Sequence, residues 1–172
     1  SVWNTELDIP GIRIENTQLD GAADVFYFNS LSDGSHVAGL ELVGGEATLN
    51  IQATNVTIGT NCDGTSDAHE RNVIHGAGSK NLFLTDASKF RIQGNYIGVE
   101  ADGTTPSGST NWGINVVESS DTGSIGFVEG STCDASLQRN IIGASGGQWG
   151  AGIKVAESDQ NIKIAGNWIG VG

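Results

Sequence analysis

Apolar and polar residues alternate in short stretches along most of the chain, with a period of two residues. This is the period of a β-strand, because successive side chains of a strand point to opposite faces. Three such stretches follow one another in each repeating unit, and the units open near residues 25, 49, 82, 114 and 153. The pattern predicts five coils of three short strands each, and no stretch has convincing helical spacing.

The third strand of four units carries one repeated phrase, an Asn followed two residues later by an Ile. In stacked coils the Asn would align at the bend between the second and third strands, where their amides can bond to one another and to turn backbone. The Ile would form an interior stack, so a structural role for the Asn is favoured over ligand binding. The phrase begins at Asn72, Asn95, Asn140 and Asn167, and the earliest unit has Leu40 in this place.

Longer polar segments interrupt the units in alternating places. Residues 60–71 and 127–139 precede the Asn in the second and fourth units, whereas residues 99–111 follow it in the third. The repeat is therefore a pair of coils. The chain stops where the next insertion after an Asn would begin, so we expect a fragment of a longer solenoid.

The composition agrees with a single β-solenoid domain over residues 1–172. Its 26 Gly suit many turns, and both Pro lie outside the repeating strands, where they interrupt no ladder of hydrogen bonds. Residues 1–24 lack the regular pattern, so an irregular N-terminal or capping segment is expected there, with the coils over residues 25–172. Neighbouring coils must stack to be stable.

The alternation of a coil reading NVTIG…RNVI with one reading GNYIGVEADGT resembles the right-handed parallel β-helix repeats of large secreted or surface proteins of bacteria and archaea. The matching stretches are residues 55–78, 92–104, 113–143 and 152–170. The resemblance implies an all-β, right-handed, single-stranded parallel β-helix of the pectate-lyase-like superfamily, and an extracellular or cell-surface location. Such β-helices include lyases, hydrolases, epimerases, adhesins and phage spikes, so the fold does not decide the activity.

None of the catalytic sets of these enzymes is present in the sequence. A polygalacturonase-like site would need an Asn-Thr-Asp strand and an Arg-Ile-Lys motif, and the nearest match, Arg91-Ile92-Gln93, lacks the Lys. A pectate-lyase-like site would need an acidic calcium cluster and a basic residue; Arg91, Lys154 and Lys163 occupy outward strand positions, which are usually solubilising. The Asp-Pro-His motif of alginate epimerases is absent. No catalytic residue is predicted.

The charge and the His spacing remove further function classes. With 8 Lys and Arg against 20 Asp and Glu, the formal net charge is −12, the opposite of what nucleic-acid binding requires. No apolar run reaches membrane-spanning length, so membrane insertion is not expected. His36, His69 and His75 lack HxH or HExxH spacing, which predicts no transition-metal site. His75 stands where three sister coils have Gly and is expected to be exposed.

Acidic residues in the insertions suggest a cation instead. Asp63, Asp67 and Glu70 lie close together in residues 60–71, and Ca²⁺ is held by several such oxygens together with loop carbonyls. Their spacing is not that of an EF-hand. The alternative is a solvated surface that keeps the protein soluble by repulsion.

The two cysteines occupy equivalent places in the insertions of the second and fourth coils. Strands two coils apart are separated by about 9–10 Å, and a disulfide needs Cα atoms within roughly 7 Å. Loops of a dozen residues can lean together over the intervening coil, so a Cys62–Cys133 bridge is predicted in preference to two free thiols.

Four aromatic residues are candidates for ligand contact, because outward rings on a solenoid can stack on sugars or on another protein. They are Tyr96, Trp112, Trp149 and Trp168. The alternative is that the insertions fold back over these rings.

Three functions fit these observations. The first, which we favour, is a non-enzymatic structural or adhesive module that contacts a polysaccharide or a cell-surface or matrix protein through its loops and exposed aromatics. The second is a polysaccharide lyase or hydrolase, or a fragment of one. The third is a subunit of an extracellular filament, because open strand edges invite end-to-end stacking.

Overall fold

The computed structural model describes residues 3–4, 9–17, 23–108, 111–118, 120–143, 150–156 and 161–171. Almost all regular structure is β. The strands are β1 Trp3–Asn4, β2 Ile9–Pro10, β3 Ile12–Asn16, β4 Phe26–Phe28, β5 His36–Val37, β6 Leu40–Gly44, β7 Ala47–Ile51, β8 Thr57–Gly59, β9 Val73–His75, β10 Lys80–Thr85, β11 Arg91–Gln93, β12 Tyr96–Ile97, β13 Trp112–Val117, β14 Ser124–Gly126, β15 Ile141–Gly143, β16 Ala151–Val155, β17 Lys163–Ala165 and β18 Trp168–Val171. A 3₁₀ turn spans Asp67–His69 and a short helix, α1, spans Ala135–Gln138.

Three parallel sheets run along the solenoid. Sheet 1 has the order β16-β13-β10-β7-β4, sheet 2 the order β17-β14-β11-β8-β5, and sheet 3 the order β18-β15-β12-β9-β6-β3. The chain passes from sheet 1 to sheet 2 to sheet 3 and then begins again, which makes five coils: β4–β6, β7–β9, β10–β12, β13–β15 and β16–β18. The path is right-handed, as parallel crossovers are. The predicted all-β parallel β-helix is confirmed.

Equivalent residues of successive coils lie directly above one another and fill the interior. In sheet 2, for example, Ile58 pairs with Ile92 and Ile92 with Ile125. Side chains at such inward positions are completely buried in the middle coils, and they contribute about 25 cal/mol for each Å² of apolar surface removed from water. The fully buried aliphatic residues at these positions include Leu42, Ile74, Ile97 and Ile142 in sheet 3 and Leu49, Leu82 and Ile114 in sheet 1.

The coil pattern begins earlier than residue 25. Strand β3 pairs in parallel with β6, with Ile12 opposite Leu40 and Asn16 opposite Gly44. It therefore supplies the third strand of a preceding coil, although its sequence lacks the Asn phrase by which the later coils are recognised. Strands β1 and β2 form a separate antiparallel pair.

The four Asn form one continuous ladder at the bend between sheets 2 and 3. The Nδ2 of Asn72 donates to the Oδ1 of Asn95 (2.9 Å), Asn95 donates likewise to Asn140 (3.1 Å), and Asn140 to Asn167 (2.9 Å). Each Oδ1 also accepts a backbone N–H from the preceding coil, and the ladder ends where the N–H of Leu40 donates to Asn72. Each Nδ2 donates in addition to a sheet 2 carbonyl of the preceding coil, from Val37, Ile58, Ile92 and Ile125 in turn.

The ladder leaves no space for a side chain on the glycine that ends the second strand of coils 2 and 4. Gly59 and Gly126 adopt φ of 92° and 90°, and a Cβ at either would collide with backbone and with the ladder amide of the next coil. Glycine tolerates both constraints. The ladder therefore depends on these two strand-end glycines as well as on the Asn of the coil that follows each of them.

We expect Asn95→Ala to destabilise the protein by about 2–4 kcal/mol, because it removes a completely buried amide and leaves buried donors and acceptors of two neighbouring coils without partners. The matched substitution Asn167→Ala, on the partly buried last rung, should cost less. Urea denaturation of both variants measures the difference. A loss below about 0.5 kcal/mol for Asn95→Ala would contradict a structural role for the ladder.

Candidate functional site

The insertions at residues 60–71 and 127–139 leave coils 2 and 4 at the same corner and meet over coil 3. A disulfide joins Cys62 to Cys133, with a Cα–Cα distance of 5.1 Å. The hydroxyl of Thr132 donates to the carbonyl of Cys62 at 2.9 Å, beside the bridge. Strand spacing alone would keep these positions too far apart, so it is the lean of the two loops that brings the cysteines within bonding range.

A buried pair of glutamines anchors the second insertion to coil 3. The Nε2 of Gln93 donates to the Oε1 of Gln138 (3.0 Å) and to the carbonyl of Gly126 (2.9 Å). Gln138 accepts a second hydrogen bond, from the N–H of Val128, and donates to the carbonyl of Cys133. Gln93 thus serves as a structural anchor for the insertion.

The insertion also contains the short helix α1, which Asp134 caps. Its Oδ1 accepts hydrogen bonds from the backbone N–H and the hydroxyl of Ser136, both at 2.8 Å. These bonds lower the pKa of Asp134, the backbone bond having the larger effect. An ionised cap of this kind satisfies an N–H at the start of the helix that would otherwise lack a partner.

Under this bridge, the outer face of sheet 2 is a groove. Three adjoining cavities of about 280, 360 and 630 Å³ lie along it, and all three are lined by Val128. Arg91 lines the first and second and Lys163 the second and third. The register places Arg91 opposite Ser124 and Ser124 opposite Lys163, so these three side chains form one outward row across coils 3 to 5. We call this surface, with Lys89 at its edge, the sheet 2 groove.

The cations of the sheet 2 groove differ from those elsewhere on the protein. Outside it, Arg13 and Lys80 form ion pairs with glutamates, and Arg71, Arg139 and Lys154 lie over aromatic rings. Among the described residues, Lys89, Arg91 and Lys163 have no such ion pair or ring contact. The residues that line the three cavities include a single acidic one, Glu129. The groove therefore presents unpaired positive charge on a chain whose net charge is −12.

Two of the four predicted aromatic contacts share an outward row on sheet 3, where Tyr96 and Trp168 both lie beside Ile141. The guanidinium of Arg71 lies 4.3 Å from the centre of the Tyr96 ring, and that of Arg139 lies 4.5 Å from the Trp168 ring. Trp168 is 53% exposed.

The other two aromatics lie elsewhere. The Nζ of Lys154 lies 5.0 Å from the ring of half-buried Trp112, and Trp149 falls outside the described residues. The protein's own cations thus lie over ring faces of Tyr96, Trp112 and Trp168, and these rings do not border the sheet 2 groove. Ligand contact by the aromatic residues remains a prediction.

The insertion that follows Val99 folds back toward sheet 3. Gly103 lies against the ring of Tyr96, so closely that a Cβ there would be only 2.8 Å from the ring. The loop is closed by Asp102, which accepts hydrogen bonds from the N–H groups of Thr104 and Thr105 (2.8 Å each) and from the hydroxyl of Thr105 (2.5 Å). These bonds, the Thr105 hydroxyl first, lower the pKa of Asp102 to about 2.

The predicted calcium ligands are each hydrogen-bonded within their own loop. Asp63 accepts from the N–H of Thr65 and from Asn61, which lowers its pKa, and Glu70 accepts from the N–H of Asn61. Asp67 accepts from the N–H of Gly64. Within the described ranges, the group of His, Cys, Asp and Glu whose ligand atoms lie within 4.8 Å of one another does not include these three carboxylates. Calcium binding by them remains a prediction.

The expectation that His75 is exposed is wrong. Its side chain is buried, with 4% of the residue exposed. The hydroxyl of Ser107 lies 2.6 Å from Nδ1, and the carboxylate of Glu41 lies 3.1 Å from Nε2. No sequence motif indicates these contacts, because they join coil 1, coil 2 and the insertion after coil 3, which are far apart along the chain. Glu100 completes a group of three ligand-bearing side chains.

Comparison of the chain with family models, curated proteins and solved structures found no significant match. In the described part of the chain, no helix has the length and apolar character needed to cross a membrane.

Replacing both cysteines with serine should lower the free energy of unfolding by about 4 kcal/mol, because the bridge closes a loop with a sequence separation of 71 residues. Denaturation with and without a thiol reductant tests this. Reductant should destabilise the wild-type protein by a similar amount and leave the double variant unchanged. Equal stability of the wild-type protein in both conditions would contradict a stabilising role.

Asp102→Asn should loosen the loop that Asp102 closes. The folded pKa lies below the ordinary value, so the ionised carboxylate stabilises the loop above about pH 4, and this contribution is lost as the pH falls toward 2. Amide exchange at Thr104 and Thr105, corrected for intrinsic rates, should show this loss in the wild-type protein and not in the variant. Glu129→Gln is the control, and identical profiles for all three proteins would contradict the assignment.

Proposed function

We propose that this chain is a non-enzymatic extracellular β-helix module that binds an acidic polysaccharide in the sheet 2 groove. The observation that carries the proposal is the set of three cations, Lys89, Arg91 and Lys163, gathered without ion pairs in the described part of a strongly acidic chain. Carboxylate or sulfate groups are the natural partners of such cations, because charge-assisted hydrogen bonds are stronger than neutral ones.

The shape of the groove supports an elongated ligand. Arg91 and Lys163 stand two strands apart on one row, a separation of about 9–10 Å by the strand spacing. A polymer lying across the strands can therefore meet both charges with different repeating units. The polar backbone of the insertion at Glu129–Thr132 borders the same cavities and offers further hydrogen bonds. The acidic surface outside the groove would exclude the ligand from other faces.

Two further observations concern the location of the protein and the choice between binding and catalysis. A disulfide persists in oxidising environments such as the cell exterior, which supports the extracellular assignment together with the resemblance of the repeats to pectate-lyase-like β-helices of surface proteins. An enzyme of that superfamily would need several carboxylates beside its cations. Among the residues that line the three cavities, Glu129 is the single carboxylate. A binding role is therefore favoured over a lyase or hydrolase.

Calorimetric titration with polygalacturonate, and with a neutral glucan as the control ligand, tests the polysaccharide proposal. We expect binding to the acidic polymer alone, weakened by added salt because the contacts are ionic. Arg91→Ala and Lys163→Ala should each weaken binding about tenfold, the loss of one charge-assisted hydrogen bond. Lys154→Ala, which removes the same charge from sheet 1, should bind as the wild-type protein does.

Product analysis in the same titration separates binding from catalysis. An unchanged polymer after long incubation supports the binding module. New reducing or unsaturated ends would replace this proposal with a polysaccharide hydrolase or lyase. Equal binding by Arg91→Ala and the wild-type protein would remove the groove as the site.

A further inference from the structure

The cluster of Glu41, His75 and Glu100 lies on the outer face of sheet 3, away from the sheet 2 groove. Strands β6 and β9 pair with Glu41 opposite Val73 and Val43 opposite His75, so Glu41 and His75 are diagonal neighbours on the same face. Glu100 arrives from the insertion that follows β12. Each side chain offers one ligand atom, and these atoms lie within 4.8 Å of one another.

His75 is held in a fixed orientation. Nε2 faces the carboxylate of Glu41 at 3.1 Å, and Nδ1 faces the hydroxyl of Ser107 at 2.6 Å. Ser107 is itself fixed, because its N–H donates to the carbonyl of Gly98 at 3.0 Å. A His with one ring nitrogen bonded to an oxygen of the protein and the other turned toward carboxylates has the arrangement typical of a metal ligand.

The position of His75 in the repeat is also unusual. The sister coils have glycine here, at Gly98, Gly143 and Gly170. A buried imidazole in place of a glycine is not needed for the coil to form, since three coils form without one. The insertion that covers His75 brings both Ser107 and Glu100 to it. The cluster is therefore a local addition to the solenoid.

The charges of the cluster are only partly balanced. Arg13 donates to the same Glu41 oxygen that faces His75, at 2.5 Å. Its side chain is 46% exposed, so it can move into solvent at little cost. Glu100 has no ion pair among the described residues. Arg13 is also shared with Glu15, at 3.3 Å. The two carboxylates of the cluster are therefore incompletely neutralised, and a divalent cation would satisfy both.

We propose that Glu41, His75 and Glu100 bind a divalent transition-metal ion of the Zn²⁺ class, a site that the spacing of the histidines along the sequence did not indicate. Nitrogen from imidazole with carboxylate oxygen suits Zn²⁺, whereas Ca²⁺ takes six to eight oxygen ligands. Zinc bonds to such atoms are about 2.0–2.2 Å long, so two ligand atoms on one ion lie roughly 3.1–3.5 Å apart, which matches the 3.1 Å between His75 and Glu41.

Binding requires two small changes. Glu100, which is partly exposed, must turn toward the other ligands, and Arg13 must release Glu41. With the metal on Nε2, the ring proton lies on Nδ1 and donates to the Ser107 hydroxyl. Water fills the remaining position, as in zinc sites with three protein ligands. The ion would tie coil 1, coil 2 and the insertion after coil 3 together.

The hydrogen-bonded side chains of Ser107, His75 and Glu41 are also of the residue types found in a serine hydrolase triad. Ser107 is only 8% exposed and is covered by the insertion that carries it. A nucleophile must reach its substrate, so the geometry favours metal binding over acyl transfer.

Calorimetric titration of the metal-free protein with ZnCl₂, with CaCl₂ in parallel, tests the proposal. We expect one Zn²⁺ per chain at micromolar or tighter affinity, much weaker Ca²⁺ binding, and a rise in the denaturation midpoint with free Zn²⁺. Glu100→Gln should weaken Zn²⁺ binding at least tenfold, whereas Glu46→Gln, which removes an acid outside the cluster, should not. Arg13→Gln should strengthen binding, because it removes the competing cation.

Co²⁺ substitution gives a readout that depends on the ligand set, since a His–carboxylate site produces visible d–d absorption. His75→Gln should abolish this absorption, and His36→Gln should retain it. Should His75→Gln fail to fold, the partly exposed Glu100 and Arg13 variants still decide the question. No Zn²⁺ binding at millimolar concentration, or unchanged affinity in Glu100→Gln, would overturn the proposal. Because these assays contain no polysaccharide, their failure would leave the groove proposal standing.

Discussion

The alignment of one Asn amide per coil is the interaction on which the rest of the structure depends. Asn95 shows the pattern: its amide joins its own coil to those on either side and satisfies backbone groups of the preceding coil at a buried bend. Such groups are costly to leave unpaired. Once the amides are in register, the Ile two residues later must stack in the interior and the residues between must point outward. The ladder therefore sets which side chains reach the surface, and hence where ligands can bind.

The insertions turn this uniform rod into distinct surfaces with a period of two coils. Those of coils 2 and 4 meet over coil 3 and wall the sheet 2 groove, and the one after coil 3 covers His75 on sheet 3. Two arginines repeat with the same period of two coils. Arg71 donates to the carbonyl of Gly94 and lies over the ring of Tyr96. Arg139 likewise donates to the carbonyl of Gly166 and lies over the ring of Trp168. One face of each of these two outward aromatic rings is thereby covered by an arginine of the neighbouring coil.

Much of the fold could be predicted from sequence because its signal is local and repeated. The strands around Ile58, Ile92 and Ile125 alternate regularly, and the Asn phrase marks the same bend four times. Strand β3 was not recognised because it lacks that phrase, and it is its pairing with β6 that shows it to belong to the stack. The fold was therefore predictable where each coil carries its own pattern, and was missed where only pairing with a neighbouring coil reveals the strand.

The sites were less predictable, because they arise between coils. His75 becomes a buried residue only when the later insertion covers it and register places Glu41 beside it, at sequence separations that no motif records. Arg91 and Lys163 were visible as outward cations, but their alignment in one row depends on the pairing of β11, β14 and β17. Their lack of ion pairs among the described residues could be seen only with the neighbouring side chains in place.

The most direct measurement of whether the sheet 2 groove is the binding surface is a backbone amide NMR titration with a defined oligogalacturonate. If the groove binds the ligand, we expect saturable shifts at Arg91, Ser124, Val128 and Lys163, and none beyond background at Tyr96 or Trp168 on sheet 3. Shifts centred on sheet 3, or no saturable shifts at all, would contradict it.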